Sequence, residues 1–262
     1  MGKGYWVIRT YKSGQVGEKI KYWVPGERPA KSQRRLKAEI RKQQQNEASA
    51  VKRMARLINA NYSRDDCLLG LDYSEAGLRK LEEWQGGEPD QEREDRIFHA
   101  AHHQLRLFLK RLRRACREAG VPMLTIAITS DMDGETGESV RVHHHIVINK
   151  EAAELAKGKW PLGGINCKNL YDTADQTALA DYLLRQVRRL PDEKKYIPSR
   201  ALVTPQPVDR IAMGGAELTV PRGGQLLQRN EYRPGMPQYI RYILPEVGKI
   251  RRENEKRKQK QQ

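Results

Sequence analysis

Cysteine is scarce in this chain. Cys67, Cys116 and Cys167 are far apart and form no Cys-x-x-Cys pair, which excludes a disulfide framework and a zinc knuckle and leaves small buried fillers in a reducing cytoplasm. Phenylalanine is scarcer still, at two against eleven tyrosines, so most of the aromatic content carries a hydroxyl. No apolar run reaches the length of a membrane-spanning helix, and no secretory leader opens the chain, so no membrane role is expected. A Gly-x-x-x-x-Gly-Lys-Ser/Thr phosphate loop is absent, so ATP-driven work by this chain is not expected. Acidic residues fall short of basic ones by 33 to 49, a net charge of +16. That excess calls for a polyanionic partner, with nucleic acid ahead of an acidic membrane surface.

What is present is concentrated at one place. Half of the six histidines stand side by side in Val140-Arg141-Val142-His143-His144-His145-Ile146-Val147-Ile148. β-Branched residues dominate this run, which predicts a strand. Alternation then puts His143 and His145 on one face and His144 on the other. Two imidazoles on one face can share a divalent metal ion. The plain alternative is a pair of hydrogen-bonded histidines with no ligand, since buried rings need partners in any case.

Residues 1–62 read as a basic N-terminal extension, with a short hairpin around residues 5–24 and a basic helix over 31–60. That helix is either a solvated face packed on the protein or an arm that tracks phosphates. The core, residues 63–200, has a clearer rhythm. A strand over 67–73 leads to Ser74 as a helix cap, and a long helix over 91–119 ends at Gly120 and Pro122. A strand over 123–129, a turn over 130–138 and the histidine strand follow. After them come a short helix over 150–157, a strand over 164–171, and a helix over 176–190 stopped by Pro191. This order predicts an α+β fold in which helices pack on an antiparallel sheet, a split β-α-β arrangement. Residues 201–247 form an accessory region, with a hairpin over 211–220 and a helix or strand over 238–244. Residues 248–262 are a disordered basic tail whose charge adds weak, salt-sensitive affinity for a polyanion.

The helix over 176–190 carries Tyr182 with Arg185 three residues on, neighbours on one helical face. A fixed cation favours phenolate over phenol. A phenolate beside a histidine-bound metal can attack a phosphodiester, the metal polarising a non-bridging oxygen while the tyrosine oxygen bonds to phosphorus. The plain alternative for Tyr182 is an aromatic at the edge of the core.

Three motifs in order, Leu68-Leu69-Gly70-Leu71-Asp72-Tyr73-Ser74, His143-His144-His145 and Tyr182 with Arg185, resemble those of the HUH endonucleases. The likeness is to the single-tyrosine rolling-circle replication initiators of bacterial plasmids, phages and integrated elements. Lys195-Tyr196-Ile197-Pro198-Ser199-Arg200 is similar to the basic stretch that follows the tyrosine helix in that branch. The resemblance covers roughly residues 66–200 and implies an RRM-like or ferredoxin-like core. It also implies a site-specific single-strand DNA endonuclease and strand-transferase working through a 5′-phosphotyrosine. His143 and His145 would hold Mg²⁺ or Mn²⁺, Tyr182 would be the nucleophile, and Arg185 an electrostatic stabiliser. Arg188, Arg189, Lys194, Lys195 and Arg200 would hold the strand. The implied partners are single-stranded DNA at a replication origin and a host helicase and polymerase, in a bacterial cytoplasm.

Two positions depart from the family pattern: His144 stands where an apolar residue is usual, and Arg185 where lysine is usual. Arginine keeps its proton at any working pH, which leaves it only the electrostatic role. For a third metal ligand the sequence offers Ser130, Asp131, Asp133 and Glu135, of which Asp131 is the expected one. Tyr239 and Tyr242 are a rival nucleophile pair, better suited to packing or stacking. Two other functions remain open: a transposase or mobilisation relaxase with the same chemistry, and a nucleic-acid-binding protein with none.

Overall fold

Valine, isoleucine, tyrosine and tryptophan fill the first two strands, the residue types that suit a pleated, half-buried surface. In chain order the elements begin with β1 (Tyr5–Ser13), β2 (Val16–Val24), α1 (Ala38–Asn61), β3 (Cys67–Leu71), α2 (Glu75–Glu82), α3 (Arg93–Glu118) and β4 (Thr125–Met132). They continue with β5 (Ser139–Ile148), α4 (Lys150–Ala156), β6 (Ile165–Asn169), α5 (Thr177–Arg185), β7 (Ile197–Pro198), β8 (Val208–Ala212), β9 (Gln225–Arg229) and β10 (Gln238–Ile243). The computed structural model describes residues 4–26, 38–84, 86, 92–187, 195–213, 215–231 and 236–245, with backbone alone for 38–47. The fold is α+β, with two five-stranded antiparallel sheets among the described residues. None of its described helices is long and apolar enough to cross a membrane.

The chain divides into two units, one of residues 61–203 and one of residues 1–60 with 204–262. In the first, the strand order is β6-β3-β5-β4-β7. The β-α-α-β-β-α-β path places the histidine strand β5 at the centre, flanked by β3 and β4. One face of this sheet is covered by α3 and α4. Phe98, Ala101, Leu105, Phe108, Leu109 and Leu112 of α3 are buried, a spacing that makes one apolar stripe toward the sheet. Ser74 caps α2 as expected: its Oγ accepts from Gly77 N at 3.1 Å. The ends of this unit are tied together, with Asn61 Nδ2 donating to Val203 O at 2.8 Å and Val203 N donating to Asn61 Oδ1 at 2.7 Å.

In the second unit the order is β8-β1-β2-β10-β9. Gly14 turns the β1–β2 hairpin at φ 57°, where a β-carbon would stand 2.1 Å from Asn59 O, so only glycine fits. The expected N-terminal extension and accessory region therefore share one sheet. The expected hairpin over 211–220 is not formed, because β8 pairs with β1 and β9 with β10. Residues 238–244 resolve to strand β10. The basic helix begins at Ala38 among the described residues, and the tail over 248–262 lies outside them.

Candidate functional site

Alternation along β5 separates the three histidines. His144 is fully buried, while His143 and His145 are half-buried on the opposite face. The Tyr73 phenol and His144 Nε2 are 2.7 Å apart, and the Tyr73 and Trp160 rings meet His144 edge-on. Burial pushes the His144 imidazole down to about 3, with the charges of His143, His102 and His145 adding to it. Burial pushes the Tyr73 phenol up. Both groups are neutral at ordinary pH, so Tyr73 O–H donates to the imidazole. The middle histidine is thus a buried acceptor for the tyrosine of the first motif.

The outward pair converges. His143 Nδ1 lies 2.9 Å from Arg141 O; a carbonyl only accepts, so Nδ1 carries the proton and Nε2 is left with a lone pair. His143 Nε2 and His145 Nε2 are 3.1 Å apart, and His145 Nε2 is 2.9 Å from Gln186 Oε1. Burial first, and then the charge of His143, lowers His145 to about 4, while the Gln186 bond opposes the shift. Gln186 is buried just past the end of α5, and its backbone carbonyl accepts from both Asp131 N and Met132 N at 3.3 Å. These two hydrogen bonds tie the end of the tyrosine helix to β4. Gln186 has no role in the sequence reading, since a lone glutamine at a helix end carries no pattern. Its four-residue spacing from Tyr182 is the signal that could have found it.

The donor set suits a divalent ion. Two nitrogens sharing one octahedral cation at right angles stand about 3.0 Å apart, close to the observed separation, and neutral imidazoles with an amide oxygen suit Mn²⁺ or Mg²⁺. His143 Nε2 and Gln186 Oε1 are both acceptors, so His145 Nε2 carries the proton that it donates to them; holding an ion at Nε2 would require that proton to move to Nδ1, a buried atom with no hydrogen-bond partner.

Asp131 does not join this set. Among the described residues, no three His, Cys, Asp or Glu side chains gather as a metal ion needs. The ladder shifts register between Ser130 and Met132. Ser130 stands opposite His143, whereas Asp131 lines a separate cavity of about 200 Å³ walled by Leu78, Ile97, Phe98 and Val142. Asp133 is also committed, its Oδ1 accepting from Glu135 N and Thr136 N at 2.8 Å each. Those bonds hold its carboxyl below the usual carboxylate range.

Tyr182 sits on the outer side of α5, whose Leu179, Ala180, Leu183 and Leu184 face inward. It is 50% exposed and lines an open cleft of about 420 Å³ with His143, Gly134, Arg185 and Gln186. Its ring centroid lies 6.1 Å from that of His145. Arg185 shares the cleft, but its Nη2 bonds Asp181 Oδ2 at 2.7 Å, so the nearest anion to the guanidinium is a carboxylate. The β4–β5 turn lies against the helix at Gly134, where a β-carbon would make ordinary van der Waals contact with Arg185 Cβ and Gln186 Cγ at 3.4 Å.

The remaining site residues are spread out. Lys195 is half-buried and Arg200 exposed, while Arg188, Arg189 and Lys194 lie outside the described residues. Tyr239 and Tyr242 are buried in the other unit, and Tyr239 O–H donates to Glu18 at 3.0 Å. That environment packs them and withholds them from attack. No protein-family model, curated protein or solved structure matches the chain.

Proposed function

We propose that the chain is a metal-dependent endonuclease and strand-transferase that nicks single-stranded DNA to start rolling-circle replication. The observation that carries this reading is the convergence of His143 Nε2, His145 Nε2 and Gln186 Oε1 at a cleft shared by His143, Gln186 and the exposed Tyr182. Neutral imidazoles offer lone pairs where protonated ones would repel a cation, and burial keeps His145 neutral. When bound, Mg²⁺ or Mn²⁺ supplies Lewis-acid polarisation of a non-bridging phosphate oxygen.

The chain's own groups do the rest. Tyr182 Oη attacks phosphorus and gives up its proton to solvent through the open cleft. The bond from phosphorus to the 3′-oxygen breaks, and that oxygen leaves as a 3′-hydroxyl after taking a proton. The 5′ end stays on Tyr182 as a phosphotyrosine until a 3′-hydroxyl attacks it in turn. Arg185 supplies permanent positive charge at the cleft, and Gln186 orients His145. Lys195 and Arg200 hold phosphates by charge. The free 3′-hydroxyl is the end that a host polymerase extends behind a host helicase. A transposase or relaxase would use the same chemistry and differ in which DNA ends it joins.

The rival reading is a nucleic-acid-binding module without chemistry, favoured by one observation: Asp181 already engages the Arg185 guanidinium. Incubation with Mn²⁺ and a labelled pool of random single-stranded oligonucleotides separates the two. The expected result is a denaturant-resistant protein–DNA adduct that Tyr182→Phe abolishes, a loss of at least about a thousandfold. Binding with no adduct, or an adduct unaffected by that substitution, overturns the reading.

A further inference from the structure

The sheet of residues 1–60 and 204–262 has two faces of different character. α1 takes one: the Arg56 guanidinium lies 3.5 Å from the Tyr11 ring centroid and pairs with Glu18, and Lys52 Nζ lies 3.7 Å from the Tyr239 centroid. On the other face Trp6 stands opposite Trp23, Ile8 opposite Lys21, Thr10 opposite Lys19 and Lys12 opposite Gly17. β8 adds Arg210 beside Ile8, and β9 adds Arg229 opposite Ile240. Residues 216–220 cross part of this face, where Leu218 packs on Ile240 and Tyr242. Lys21, Lys19 and Arg229 donate to the carbonyls of Ala216, Thr219 and Leu218 along that crossing.

Beyond the crossing, the tryptophan end is open. Trp23 is 48% exposed, a large apolar ring presented to water. It is also held in place. The Trp6 ring meets it edge-on with centroids 5.4 Å apart, and Lys21 Nζ lies 5.0 Å from the Trp6 centroid. The backbone of Gly4 lies against it, since a β-carbon there would stand 2.5 Å from Trp23 Cζ2. A ring fixed in this way loses little freedom when something stacks on it. Lys12, Arg210 and Arg229 are exposed on the face, while Lys21 is buried and Lys19 half-buried along the crossing segment, which carries Glu217.

We propose that this face is a second, non-catalytic contact for single-stranded DNA, in which the Trp23 indole stacks on an unpaired base and the surrounding cations hold phosphates. Charge complementarity selects a polyanion, and the pinned, half-exposed indole selects one whose base faces are free. Duplex DNA offers the same phosphates with its bases already stacked.

The contact is independent of strand cleavage, so it is read in EDTA, where no nicking chemistry runs. Fluorescence anisotropy of a labelled oligo-dT with the full-length chain measures it. Trp23→Ala is expected to weaken binding about tenfold. Trp23→Phe keeps most of the affinity, while Trp23→Leu, apolar but without a π-face, loses it. Lys12→Ala and Arg210→Ala each lower the salt slope by about 0.7. Three results would overturn the proposal. One is an affinity unchanged in Trp23→Ala, and another is equal losses for Trp23→Phe and Trp23→Leu. The third is a Trp23 dependence seen equally on duplex DNA, or only on phosphatidylserine vesicles.

Discussion

The sheet of residues 61–203 keeps its buried imidazoles uncharged, with His144 and His145 pushed down to about 3 and 4. The sheet of residues 1–60 and 204–262 instead buries an ion pair, Glu18 with Arg56, joined at 2.7 and 2.8 Å and reinforced by Tyr239 O–H. Burial also lowers the Lys52 ammonium of α1, against the opposing pull of Glu18. The two solutions serve different ends. Charge paired inside a sheet fastens it to its helix and leaves no valence for a ligand. Neutral imidazoles on a central strand keep lone pairs available, which is what the proposed metal-dependent chemistry would need.

That contrast can be broken first at the ion pair. Arg56→Ala leaves the Glu18 carboxylate buried without its main partner and is expected to cost about 3–5 kcal/mol. Urea unfolding followed by circular dichroism measures it; a loss below about 1 kcal/mol would mean that the pair is better solvated than its 12% and 5% side-chain exposures indicate.

Acid sharpens the comparison from the other side. The folded pKa values of His144 and His145 lie below the ordinary 6.5, so between those values the unfolded chain binds more protons than the folded one. Their contribution is complete above about pH 6.5 and is lost as pH falls. At pH 5 in EDTA each histidine should remove about 2 kcal/mol. His144→Leu should flatten the pH dependence by one histidine's share, and an unchanged slope would count against a neutral His144.

The smallest expected effect is at Gln186. Gln186→Leu removes the oxygen beside His145 and should weaken Mn²⁺ binding by about ten- to a hundredfold by calorimetry. Gln186→Glu, which adds a negative charge at the same length, should strengthen it. Equal affinities in all three proteins would remove Gln186 from the site.

Much of the core was legible because its signals are local. The parity of His143 and His145, the Ser74 cap and the apolar stripe of α3 each depend on residues within a few positions of one another. Asp131 was misplaced because Ser130 is the residue that pairs with His143, so alternation turns Asp131 to the other face of the sheet, and nothing in Ile128-Thr129-Ser130-Asp131 announces that pairing. Gln186 and the Tyr73–His144 bond were hidden for a different reason, since each joins residues 41 and 71 positions apart. The second sheet was illegible as a unit for the same reason: β2 pairs with β10 across most of the chain's length.

The bond between Asn61 and Val203 has a consequence for how the protein is made. Everything that those two residues enclose leaves the ribosome before β8, β9 and β10 exist. The enclosed sheet can therefore close and be locked at its ends while β1 and β2 still wait as an unpaired hairpin. The segment that starts later finishes first, and the hairpin's partners are the last strands to be synthesised.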